Sequence, residues 1–378
     1  MDTLNAKLRT TGFITFFISG ICATSTGVVV SLLQDQLGFA FGMTGTLLSM
    51  MTIGNLLAGF VVTFLTVRIG MKAGTLILTA GYAVGYLLMS ATGWIPLLML
   101  SFLLVGFGKG SAINTCTILV SNNSANRTRG MNILHSSFAF GAVLCPFLIS
   151  LAAARSGRLP MVLLGVLGAV MWLMFAMSSM SDGGAKKAKT DWSFLKSGKF
   201  WLLVALLFCQ NGTEISVTGW MVTYFKENGI LSGALSAYTV TVIWLATLLL
   251  RMIYAFVLPI KRAERAMIRM SIGCFVFYFA LMQVHSQWPA ILLLFAFAAS
   301  MAGLNPTAVS CAGRMTSVAS MGILLPAASS GAIVMPYVIG IVADAAGIQA
   351  GMFTLMVPCV GLLIFSVILA KVFGTAEA

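Results

Sequence analysis

Twelve stretches of about twenty apolar residues follow one another along this chain, separated mostly by turns too short to hold a domain. A helix rises about 1.5 Å per residue, so each stretch matches a hydrocarbon core about 30 Å thick. Within that core the backbone must satisfy its own hydrogen bonds, which leaves helices or a closed barrel. Continuous apolar runs select helices over alternating strands. The stretches lie near 11–34, 43–67, 73–92, 95–121, 130–154, 160–180, 199–225, 234–259, 266–284, 288–312, 321–344 and 350–372. The expected fold is an all-α polytopic membrane protein with twelve transmembrane helices.

Composition enters as a check. Apolar residues make up 59% of the 378 and charged residues 8%, against about 45–50% and about 25% in soluble domains. A soluble core cannot bury that surplus, which excludes a soluble enzyme, a disordered regulator and a secreted disulfide scaffold. The net charge of +13 invites a nucleic-acid reading, but its distribution points to a membrane instead. With both termini cytoplasmic, 17 of the 22 Lys and Arg fall on the cytoplasmic side, three (Arg155, Arg158 and Lys226) in outer loops, and Lys109 and Arg251 inside the membrane. A multi-pass protein of the cell (inner) membrane is expected, with the lipid bilayer as surroundings and no nucleic-acid partner. The first stretch is expected to be retained as a spanning helix rather than cleaved as a leader.

No cofactor or metal is expected. The seven cysteines sit in apolar stretches without a CxxC pair or a ligand-spaced histidine. The run Gly106–Ser111 imitates a phosphate loop, but its spacing is wrong and it lies inside an apolar span. Gly106 and Gly110 read instead as a close helix contact.

The chain also repeats itself. Gly141-Ala142-Val143-Leu144-Cys145-Pro146 in span 5 returns 190 positions later as Gly331-Ala332-Ile333-Val334-Met335-Pro336 in span 11. Asn114 and Asn305 stand 191 apart, and Lys72 and Arg262 occupy matching inner loops. A parallel duplication follows: a six-helix bundle over 1–180, a basic linker over 181–198 and a second six-helix bundle over 199–378.

The stretch Arg129 to Ala142 followed by Pro146 resembles the helix 5 signature of sugar transporters in the major facilitator superfamily. Within it, the fucose–galactose–glucose proton symporters are the most similar branch. Ile53–Gly59, Gly106–Asn114 and Gly212-Thr213-Glu214 through Trp220 to Tyr224 carry further likeness. The resemblance implies the major facilitator fold, with helices 1, 4, 7 and 10 around a central cavity. Arg68, Gly70 and Lys72 match the family's inner loop, with Val67 where an Asp is usual, and imply a gate there. His135, near the inner end of span 5, is also expected at a gate.

Charges inside a membrane are costly and mark function by default. Lys109, Glu214 and Arg251 are the three here and are expected to couple proton movement to transport, Glu214 alternating between a proton and a cation partner. Gln210, Asn211, Glu214 and Thr218 follow at spacings that share one helix face. Gln210, Asn211 and Glu214 of this stripe, with Asn114 and Asn305, are expected to bind substrate hydroxyls, while Trp220 or Trp244 covers an apolar sugar face. Thr15, Ser19, Cys22 and Thr26 make a milder stripe on span 1. The alternative for all these groups is interhelical glue.

The expectation is a secondary active transporter, not an enzyme, working as a monomer. It takes up a sugar-like small molecule by proton symport through alternating access. Three other readings stay open: organic anion transport using Lys109 and Arg251, export of drugs, and a non-transport role such as a sensor or lipid flippase.

Overall fold

The computed structural model describes residues 2–125, 127–180, 193–258, 260, 262–315 and 318–374. Every element among them is helical. The chain forms two compact units, Met1–Phe39 with Thr46–Lys187, and Ala40–Gly45 with Ala188–Ala378. Much of the basic linker expected over 181–198 lies outside the described residues; a 3-10 turn at Ser193–Lys196 leads into the second bundle.

The first six helices are α1 (Asp2–Thr24, resumed as Thr26–Leu37), α2 (Phe41–Ile69), α3 (Met71–Ala91), α4 (Ile95–Asn122), α5 (Arg127–Ala153) and α6 (Leu159–Met177). The next six are α7 (Gly198–Glu227), α8 (Gly233–Ser236 and Thr239–Phe256) and α9 (Ala263–Leu281), then three broken helices. These are α10 (Gln287–Met301 and Leu304–Met315), α11 (Val318–Ser329 and Gly331–Ala346) and α12 (Ile348–Phe353 and Met356–Gly374). Among the described residues, eleven segments are long and apolar enough to cross a membrane. The twelfth, α9, carries Glu264, Arg265 and Arg269 near its start. Helix α1 begins some nine residues before the apolar stretch, because no Gly or Pro interrupts Asp2–Thr11.

Both units pack by one scheme. In the first, α1 lies against α4, α5 and α6, and α3 against α4 and α6. Six helices on, α7 lies against α10, α11 and α12, and α9 against α10 and α12. Glycines set the distances. A Cβ on Gly141 of α5 would stand 2.1 Å from the Phe17 carbonyl oxygen of α1, and one on Gly331 of α11 would stand 2.0 Å from that of Phe208 on α7. Both helix pairs therefore approach to backbone contact, at positions 190 and 191 residues apart. Gly106 and Gly110 on α4 also sit as expected: their Cβ atoms would lie 2.0 Å from the Met51 and 2.6 Å from the Asn55 carbonyl oxygens of α2.

The outer faces are apolar. On α3, Leu78, Tyr82 and Tyr86 point inward while Ile77 is 58% exposed and Val84 46%. Such a face is stable against lipid, not water. All seven cysteines are buried.

Candidate functional site

The second unit joins four of the expected polar residues into one cluster. Asn305 lies at the start of the second segment of α10, one turn beyond the break after Met301. Its Nδ2 donates to Gln210 Oε1 at 2.8 Å and to Asn211 Oδ1 at 3.3 Å, both on α7. Gln210 Nε2 donates in turn to Glu214 Oε2, one turn along the same helix. The donors thus run in one direction, from Asn305 through Gln210 to the carboxylate. Thr218 donates its hydroxyl to the Glu214 backbone carbonyl at 2.8 Å, so it serves the helix.

Gln210 is buried, while Asn211, Glu214 and Asn305 are half-buried. By the inventory of side-chain groups, Asn211 keeps both amide N–H donors and Asn305 keeps its amide oxygen as an acceptor. Among the described residues neither makes a further side-chain bond. The cluster therefore offers both donors and acceptors beside one carboxylate, a pattern that suits hydroxyl groups.

Arg251 is bonded to the backbone. The sequence leaves Lys109 or Arg251 as the cation partner of Glu214, and among the described residues no ion pair joins Arg251 to it. Its Nε donates to the Ala302 carbonyl oxygen at 3.1 Å. The reason lies in the sequence of α10. Pro306 has no N–H, so the i−4 carbonyl, that of Ala302, loses its helical partner. Arg251 supplies the missing donor.

The polar groups of the α1 stripe are bonded within the bundle. Thr15 and Ser19 are fully buried. Thr15 Oγ1 donates to the Thr11 carbonyl at 2.7 Å, and Ser19 shares a hydrogen bond with the Tyr82 hydroxyl at 2.9 Å. Thr26 donates to the Ala23 carbonyl at 3.1 Å. At the break in α1, the Tyr86 hydroxyl donates to the Cys22 carbonyl oxygen at 2.5 Å and bonds Ser25 Oγ at 2.8 Å. Tyr86, Ser25 and Thr26 serve the helix break, while Thr15 and Ser19, further from it, bond within the bundle; no sequence feature announces the two tyrosines.

Trp220 has no exposed face: it is fully buried and its indole N–H donates to the Pro336 carbonyl oxygen of α11 at 3.3 Å. A stacking role for it does not fit that burial. Trp244 is half-buried on α8. In the first unit, Lys109 and Asn114 are half-buried on α4, and Lys109 is flanked by Gly108, tight against Tyr82, and Gly110, tight against Ala58. His135 is exposed on α5 and meets Phe16 edge-on at 6.0 Å. Arg68 and Lys72 flank Gly70, whose φ of 89° makes the turn between α2 and α3.

The sequence profile of the Major Facilitator Superfamily matches residues 12–320. The chain belongs to the major facilitator superfamily. Members of this superfamily are transporters rather than enzymes. Solved structures of the same fold include the nucleoside transporter NupG, 14% identical with a TM-score of 0.78, over 98% of this chain and 99% of that one. A bacterial homologue of the human lysosomal transporter Spinster, inward-facing and unoccupied, is 12% identical with a TM-score of 0.79, over 98% of each chain. The POT family transporter PepTSo is 10% identical with a TM-score of 0.77, over 98% of each. At such identities the likeness carries the major facilitator fold alone. No curated protein matches the sequence.

Proposed function

We propose that this superfamily member is a proton-coupled symporter that takes up a sugar or related small polar solute by alternating access of its two six-helix halves. The observation that carries the reading is the cluster of Asn305, Gln210, Asn211 and Glu214 on α7 and α10. Amides and one carboxylate can hydrogen-bond a polyhydroxylated solute, and the carboxylate can hold a proton. Asn114 would add a substrate contact from the first half, and Lys109 would pair with Glu214 in one state of the cycle. A neutral carboxylic acid still accepts from Gln210 through its carbonyl oxygen, so the cluster tolerates both protonation states. The protein would work as a monomer in the inner membrane with both termini cytoplasmic.

Organic anion transport is the second reading, favoured by the half-buried Lys109. It is weakened by Arg251, whose Nε is committed to the Ala302 carbonyl. Uptake into proteoliposomes, with sugars, nucleosides and carboxylates offered with and without an inward proton gradient, separates the two. The expected result is accumulation of a sugar or nucleoside that collapses when the gradient is abolished. Accumulation of carboxylates alone would reject the sugar reading.

A further inference from the structure

Between α8 and α9 the structure has a second polar feature that movement of a neutral solute does not use. A cavity of about 1150 Å3 lies there, and Arg262, Arg265 and Arg269 line it together with Tyr254 of α8 and Ser300 of α10. Arg265 and Arg269 stand four residues apart on one side of α9, and Arg262, in extended backbone just before the helix, joins them in the lining. All three are exposed, and among the described residues none makes an ion pair or side-chain hydrogen bond. Among the described residues the lining includes no carboxylate, Glu264 of the same turn being outside it. Three cations without a carboxylate partner among the described residues call for an anion.

The apolar part of the wall narrows the choice. Val257 and Leu258 line the same cavity and are 68% and 63% exposed, next to Phe256 at 70%. A soluble anion would use the guanidinium groups and leave this apolar strip in contact with nothing it favours. A phospholipid would use both, its phosphate against the arginines and its acyl chains along the strip. Guanidinium forks match phosphate oxygens two at a time. Basic pockets between transmembrane helices on the cytoplasmic side, where the charge count puts this loop, are suited to anionic headgroups.

We infer that the cavity between α8 and α9 binds the headgroup of an anionic phospholipid through Arg262, Arg265 and Arg269.

Native mass spectrometry of the full-length protein in detergent tests this, with phosphatidylglycerol, cardiolipin or phosphatidylcholine added. The expected result is preferential retention of the two anionic lipids. A double Arg265→Ala/Arg269→Ala variant should bind them about 30-fold more weakly, as expected for two cations near a membrane surface. Arg265→Lys/Arg269→Lys keeps the charge and loses the fork, so it should fall between. If the alanine pair does not elute as folded protein, the lysine pair decides. Lys196→Ala/Lys199→Ala, which removes two cations elsewhere, should match the unaltered protein. Equal retention of phosphatidylcholine, undiminished binding in the arginine variants, or displacement of the lipid by millimolar inorganic phosphate would each overturn the assignment. None of these readouts involves transport, so the inference stands apart from the proposed substrate and coupling.

Discussion

An asparagine that donates to two amide oxygens at once cannot become aspartate without loss. Asn305→Asp would set a carboxylate against Gln210 Oε1 and Asn211 Oδ1, which now accept at 2.8 and 3.3 Å. Interhelical hydrogen bonds in membranes average about 0.6 kcal/mol and reach about 1.7. Losing two and adding repulsion should lower substrate affinity by roughly tenfold, since about 1.4 kcal/mol is a factor of ten. Binding by Asn305→Asp at unaltered affinity would remove the cluster from the substrate site. Glu214→Gln tests the proton. The variant should lose accumulation against a gradient yet keep substrate exchange, because exchange does not require the proton to leave. Accumulation by Glu214→Gln at full level under a pH gradient would make the carboxylate structural. The α7 residues were legible as a stripe because their three- and four-residue spacing is local. The stripe on α1 has similar spacing and turned out to be glue. What separates them is a partner sixty residues away, Tyr82 for Ser19, and no local pattern announces it.

Helix breaks raise the same question one level up. Pro306 in the sequence foretells a freed carbonyl in α10, and that much was readable. That the donor comes from Arg251, more than fifty positions earlier, depends on how α8 packs beside α10. A double-mutant cycle follows from this geometry. Arg251→Met should destabilise the protein, and Pro306→Ala, which restores an N–H for the Ala302 carbonyl, should make Arg251 dispensable. The expected coupling is about 0.5–3 kcal/mol, read as thermal unfolding in detergent; strict additivity would reject it. Glycine contacts offer a second test. A Cβ on Gly331 would strike the Phe208 carbonyl oxygen at 2.0 Å, whereas one on Gly59 meets nothing within 4 Å. Gly331→Ala should therefore cost about 1–3 kcal/mol through overpacking, while Gly59→Ala should gain up to about 1 kcal/mol in helix propensity. Equal melting temperatures for the two would show that α11 shifts freely on α7.

Across the whole chain the sequence was most informative, since span number and order follow from hydropathy. The packing scheme recurs six helices later, where glycines 190 residues apart set matching distances. Sidedness rests on the distribution of Lys and Arg. With 17 of 22 on one face of the reading, a green fluorescent protein fused after Ala378 should fluoresce and an alkaline phosphatase fused there should stay inactive. The reverse pattern would invert the topology. One further property follows from the burial of every cysteine. A water-soluble maleimide should find almost no native thiol to label, so a single cysteine introduced in any loop would report its own accessibility against a silent background. Each loop, and each face of the α7 stripe, can then be mapped in the otherwise unaltered sequence, without first stripping seven residues from the helices they help to pack.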